Sequence, residues 1–370
     1  MLFEQALEAL SHLPEDSDRL EQKIDVHFDI RNVLQPLGDR LRIAHYLREA
    51  ELLAGRIGDA RRMGWVQSYF TEHFWMLGRY EEAVAAGERA LAIADQLSDL
   101  SLQVVTNLPL GLAHHTRGEY RRAIEYFGWN ASRLDGEHAR ERFGMFVLPS
   151  TFSRSFIAWG LAEMGEFGQG LTVGEDALHI AEAAEHPFSC GYAHLGLGVL
   201  CLRQGELRRA LKSFERALTA GAFADSPVGF AYVALHLGYA QALTGQVEEG
   251  ISVLEQTVKI AEGKSFVARH ALRLAYLSEA LLIAGRTDDA AAVGKRALEL
   301  AVEHDERANQ AYALRVLGEV NVRCGRQTEA EAHYSAALQL AKKLHMRPCK
   351  HIVIARLQTY TRGEASRSTQ

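Results

Sequence analysis

Eight glycines limit what this chain can fold into more than any other feature. Gly38, Gly78 and Gly118 lie 40 residues apart, and so do Gly165, Gly205, Gly245, Gly285 and Gly325. The one irregular step, from Gly118 to Gly165, is 47 residues, which is one period plus a seven-residue insertion. A fixed period of roughly 20–50 residues marks an array of supersecondary units, each of which buries its apolar face only against its neighbours.

Each unit reads as helix, turn, helix. Eight residues before the glycine stand Phe70, Leu110, Ile157, Leu197, Leu237, Leu277 and Leu317. Five after it comes a small residue, Ala83, Ala123, Gly170, Ala210, Gly250, Ala290 or Ala330, where two helices must cross closely. Two after it come Tyr80, Tyr120, Phe167, Leu207 and Val247; twelve and thirteen after it come pairs such as Ala90-Leu91 and Ala217-Leu218. These offsets share one stripe of a helix. The glycine ends the first helix in a left-handed conformation. Acids just past it, among them Glu81, Glu119, Glu166 and Asp288, suit the N-terminal end of the second helix dipole. Pro187 and Pro227 start helices between units.

A turn glycine, an aromatic two later and an alanine five later resemble the tetratricopeptide pattern, here with a 40-residue unit over residues 21–345. The resemblance implies an all-α, right-handed α–α superhelix of about eight helix-turn-helix units. The segments LRIAHYLREAELLAGRIGDARRMGWVQSYF, GEYRRAIEYF and HARERFGMFVLPSTFSRSFIAWGLAEMGEFGQG are similar to one narrower group. That group is the C-terminal repeat region of large bacterial signalling proteins, in which a class III adenylate/guanylate cyclase domain and an ATPase module precede the array.

The ends of the chain are read as partial units. Phe3-Glu4-Gln5-Ala6-Leu7 copies the second-helix signature at Phe214–Leu218, so residues 1–13 are expected to be the second helix of a truncated repeat. Residues 346–370 are expected to form a capping helix, around 349–360, and the polar tail EASRSTQ, with Gly363 38 residues after Gly325. The expectation is a piece of a longer protein, or an array derived from one.

Composition narrows the function. Forty-one basic against 47 acidic side chains leave a net charge of −6, with no electrostatic ground for nucleic acid. No run approaches the roughly 18–20 apolar residues of a membrane span, and the N-terminus lacks a secretory pattern, so a cytoplasmic protein is expected. Cys190, Cys201, Cys324 and Cys349 form no CxxC pair. Catalytic motifs fail individually. Gly263-Lys264-Ser265 has Val258 where a phosphate-binding loop needs glycine, and His179, Glu182, Glu185 and His186 lack zinc-protease spacing. The reading is no enzyme, no cofactor and no metal.

What remains is the inner face. In the tetratricopeptide pattern, positions thirteen, nine and six before the glycine face a groove. The resemblance therefore assigns a protein or peptide partner to Trp65, Tyr69, Glu72, Phe152, Phe156, Trp159, Tyr192, Tyr232, His236, Tyr239, Tyr276, Glu279, Tyr312 and Glu319. Aromatics suit peptide binding because they offer large rigid area with a polar tip. The same stripe is equally what inter-repeat packing requires. The insertion near residues 135–150 reads as a docking element or a conformational spacer, and Pro109 predicts a kink beside it. Two functions follow: a scaffold or sensor regulating an attached or associated ATPase or nucleotide cyclase, or a free-standing adaptor that assembles other proteins.

Overall fold

The structure is a computed structural model, and it describes residues 2–220, 223 and 227–356. Helices α1 (Leu2–Ser11), α2 (Ser17–Leu37) and α3 (Arg40–Ile57) begin the array. They are followed by α4 (Ala60–Met76), α5 (Tyr80–Leu97), α6 (Leu100–Arg117) and α7 (Tyr120–Arg133). Next come α8 (Pro149–Met164), α9 (Phe167–Ala183), α10 (Pro187–Gln204), α11 (Leu207–Thr219), α12 (Pro227–Leu243) and α13 (Val247–Gly263). Finally come α14 (His270–Ile283), α15 (Thr287–Glu303), α16 (Arg307–Arg323) and α17 (Gln327–Lys343), with residues 347–356 again helical. The fold is an all-helical superhelix of stacked hairpins, with no strand among the described residues. The tail EASRSTQ and Gly363 lie outside them.

All eight turn glycines adopt φ between +69° and +98°. A second left-handed series sits at the returns between units: Gly58, Ser98, Glu185, Ser265, Asp305 and His345, with φ between +48° and +69°. These positions repeat the 40-residue spacing, but only the first is a glycine, so the composition of the sequence hides them. The small residues five past each glycine are buried. At Gly250 the reason is plain, because a Cβ there would stand 2.5 Å from the Gly238 carbonyl oxygen. That helix crossing brings two backbones together.

Pro109 produces no break, and α6 runs through it to Arg117. The insertion leaves α7 short and continues as a 3-10 turn, Gly136–Arg140, before Pro149 starts α8. Arg154 fastens it from below, donating to Ser150 Oγ at 2.6 Å and to the Ala131 carbonyl at 3.1 Å. The Leu148 amide donates to Ser189 Oγ of the next unit at 2.9 Å.

The superhelix closes on itself. Lys264 Nζ donates to the Leu37 carbonyl at 3.0 Å, beside the turn of Gly38. The turn of Gly78 packs on Val267 and His304, and that of Gly118 on Ala308 and Leu344. The pairs Gly38–Lys264, Gly78–His304 and Gly118–Leu344 are each 226 residues apart, about five and a half units once the insertion is set aside. The half unit has a physical meaning: glycine turns on one edge of the first coil meet inter-unit turns on the opposite edge of the second. One apolar core runs from Trp75 to Val353, and a smaller one, including Ile24, Ile43, Leu47 and Val66, lies at the N-terminal end.

Candidate functional site

The first helix of each hairpin faces the superhelix axis, so positions thirteen, nine and six before the glycines come together there. Phe152 and Phe156 of α8 have ring centroids 4.7 Å apart, and Trp159 lies 5.5 Å beyond Phe156. Trp159 meets the edge of His236 from α12 at 4.9 Å, and Tyr239 stacks flat on Tyr276 of α14 at 3.9 Å. Tyr192 of α10 touches Phe152 at 4.7 Å, and Tyr232 lies 6.4 Å from Phe156. The expected residues of α8, α10, α12 and α14 therefore form one ladder.

That ladder is packed inside the coil instead of lining an open groove. Phe152, Phe156, Trp159, Tyr232, His236, Tyr239, Tyr276 and Tyr312 are each 7% exposed or less. Tyr192, Glu279 and Glu319 are half-buried. Trp65, Tyr69 and Glu72, also half-buried, form a separate group on α4. There the Arg31 guanidinium lies 4.4 Å over the Tyr69 ring and pairs with Glu72. Glu319 pairs with Arg356 at 2.8 Å.

Buried charges hold the ladder together, most of them at positions outside the aromatic stripe that the spacing marks. Arg203 Nε donates to both Glu163 carboxylate oxygens at 3.0 Å, while Tyr312 and the Trp159 indole donate to the same carboxylate at 2.6 and 3.1 Å. Glu279 pairs with Arg315 and accepts from Tyr239 at 2.7 Å. Burial pushes the Tyr312 and Tyr239 hydroxyls well above the ordinary tyrosine range, so both donate at every physiological pH. Arg269 lies 4.3 Å over Trp159 and donates to His115 Nδ1 at 3.0 Å. Glu163 and Arg203 could have been found, since they stand two residues before Gly165 and Gly205, opposite charges at one register of adjacent units. Arg269, Arg273 and Glu306 carry no such periodic signal. Among the described residues no three of His, Cys, Asp and Glu cluster as a metal site would need. No helix there is long and apolar enough to cross a membrane.

A tetratricopeptide repeat family model matches residues 173–227, from α9 to the start of α12. No curated protein matches the sequence. Among solved structures, the chain is similar to the Rap conjugation gene regulator of plasmid pLS20 in complex with the Phr* peptide. That match has a TM-score of 0.64 and 14% identity, over 93% of this chain and 96% of the other. It is also similar to a Rap protein complexed with Competence and Sporulation Factor, with a TM-score of 0.58 and 13% identity over 95% and 99% of the two chains. The Cut9 assembly with Hcn1 matches with a TM-score of 0.54 and 16% identity, over 93% of this chain and 59% of that one. At these identities the likeness is one of fold. Together with the family model it supports a tetratricopeptide-type repeat protein.

Proposed function

We propose that this chain is a non-catalytic scaffold or sensor that binds a peptide or protein along its axis and regulates an attached or associated bacterial ATPase or nucleotide cyclase. The aromatic ladder of α8, α10, α12 and α14 carries this reading, because it gathers large rigid side chains with polar tips on one continuous track. Two of the similar structures are described as peptide or factor complexes, which agrees with a peptide as the partner class. The ladder is buried, so a partner reaches it when the stacked coils part, and its apparent affinity is reduced by the fraction of chains in that parted state. The ATPase or cyclase connection rests on the resemblance of the sequence segments alone.

The test is selection of a random displayed peptide library on the intact chain. Enriched peptides are expected to protect amides of α8, α10 and α12 from hydrogen exchange. They are expected to bind Tyr192→Ser, altered at the half-buried edge of the ladder, at least about tenfold more weakly. Equal binding to Tyr192→Ser, with protection confined to the outer helices, would overturn the site. Sequencing the transcript on both sides of the coding region separates the two functional forms. An in-frame ATPase or cyclase supports the attached form of the regulator, and its absence leaves a separately encoded enzyme partner or the free-standing adaptor.

A further inference from the structure

Two of the buried guanidiniums on the axis have carboxylate partners, and two do not. Arg203 is paired with Glu163, and Arg315 with Glu279. Arg273 is fully buried, yet only its Nη1 is engaged, donating to the Ala268 carbonyl at 2.9 Å; its Nε and Nη2 meet no protein acceptor. Arg269, 3% exposed, gives Nη2 to His115 and leaves Nε unmatched. The carboxylate that faces them, Glu306, is already committed. It accepts from the Tyr80 hydroxyl, from the Arg269 amide at 3.0 Å and from Asn309 Nδ2 at 2.7 Å.

The neighbouring polar atoms are in the same condition. Both ring nitrogens of His236 are buried without a partner, and the enclosed Tyr232 hydroxyl has none beside the adjacent Arg269 guanidinium. These groups sit close together: the Arg269 guanidinium is 5.8 Å from the Tyr232 ring, and His236 and Arg269 both lie against Trp159. Phe266 lies 4.7 Å under Arg273 and 6.4 Å from Tyr232. Burial, with Arg203, Arg269 and Arg273 nearby, pushes the His236 imidazole far below its ordinary range and keeps it neutral. A buried guanidinium with free donors is among the costliest things a core can hold, unless an acceptor of opposite charge completes it.

We propose that Arg273, Arg269 and the Tyr232 hydroxyl form an oxyanion site on the superhelix axis, taking a carboxylate or phosphate group between the free edges of the two guanidiniums. A planar guanidinium fork suits such a group because it donates two parallel hydrogen bonds. The 264–269 crossover controls entry. It carries Phe266 and Arg269, and its Val267 and Ala268 amides donate to the Met76 carbonyl at 2.9 and 3.3 Å. The proposal goes beyond the peptide reading and does not depend on it, since inorganic phosphate alone can fill the site.

The test uses the whole chain in sodium phosphate, with sodium chloride balancing ionic strength. The melting temperature is expected to rise saturably, by about 2–4 °C near saturation. The Trp159 component of the fluorescence is expected to change with the same midpoint, and Arg273→Met should abolish both responses. Should Arg273→Met fail to fold, Arg269→Gln reads the same site from the crossover. N-acetyl-dialanine and its C-terminal amide provide the second arm. A response to phosphate only assigns the site to phosphate, and a response to the free acid but not the amide assigns it to a carboxylate. No response to either anion, or a response of equal size in the arginine variant that folds, overturns the site.

Discussion

A single residue shows how little tolerance this packing has. Ala210 is fully buried where α11 crosses its hairpin partner, the place at which seven of the eight units carry Ala or Gly and the first carries Ile43. Ala210→Arg puts an unpaired charge there, and a loss of roughly 3–5 kcal/mol in urea unfolding is expected; an unchanged midpoint would show that the crossing tolerates bulk. The histidines make a sharper case. Burial pushes His27 and His73 down to about 4 and His270 to about 3, so each is neutral in the folded chain. The unfolded state binds those protons first. Their stabilisation is therefore fully present above pH 6.5 and is lost as pH falls from there towards the folded values. Each contributes a slope of about 1.4 kcal/mol per pH unit within that window. Glu306, pushed up by burial, works in the opposite sense. Urea midpoints measured from pH 7 to 5 should fall steeply, and replacing His27 and His73 with Gln should flatten the curve by about two protons. A slope unaffected by that replacement would mean that other groups drive it.

At the scale of the helix hairpin, most of the fold was legible and part of it was not. The turn glycines could be read because only glycine adopts their backbone angles without strain, so evolution leaves a visible mark at each. The inter-unit turns use the same left-handed angles but fill them with Ser98, Glu185, Ser265 and Asp305, so the residue type conceals the conformation. The aromatic stripe was legible as a stripe. Its burial was not, since spacing fixes which side chains share a face but not what covers it. The two turn series also differ in what substitution does. Exposed Glu185, at φ +48°, bears strain that Glu185→Gly removes, partly offset by the greater freedom of glycine in the unfolded chain. A net gain of about 0.5 kcal/mol is expected. Gly245→Ala, at φ +98°, should lose about 1 kcal/mol or more although nothing crowds the position. Paired urea titrations check both, and losses of equal size and sign would contradict the strain argument.

Over the whole molecule, the decisive contacts join residues 226 apart, and no local pattern announces them. They depend on the small rotation from each unit to the next, summed over five and a half units, and a slight change in that rotation would leave an open spiral with its ladder exposed. The seam between coils is polar at its outer edge, where Arg117 reaches Asp305 at 2.8 Å and Arg307 reaches Glu119 at 2.6 Å. Glu119 is held down to about 2, first by the hydrogen bond from His114 and then by the two arginines, so it stays ionised across the physiological range. Half-buried pairs still in reach of solvent contribute modestly individually. The closeness of Gly118 to Ala308 is a stricter constraint, because a Cβ on the glycine would lie 2.8 Å from that of the alanine. Ala308→Trp therefore wedges the seam while leaving each hairpin intact. A compact chain of this length has a radius of gyration near 21 Å. Small-angle scattering of the variant should show an increase of about 2 Å or more over the wild type, with helical circular dichroism unchanged, because opening the seam breaks no hairpin. If the radius stays constant while the melting temperature falls, the coils accommodate the wedge without parting, and access to the ladder must come through the 264–269 crossover instead.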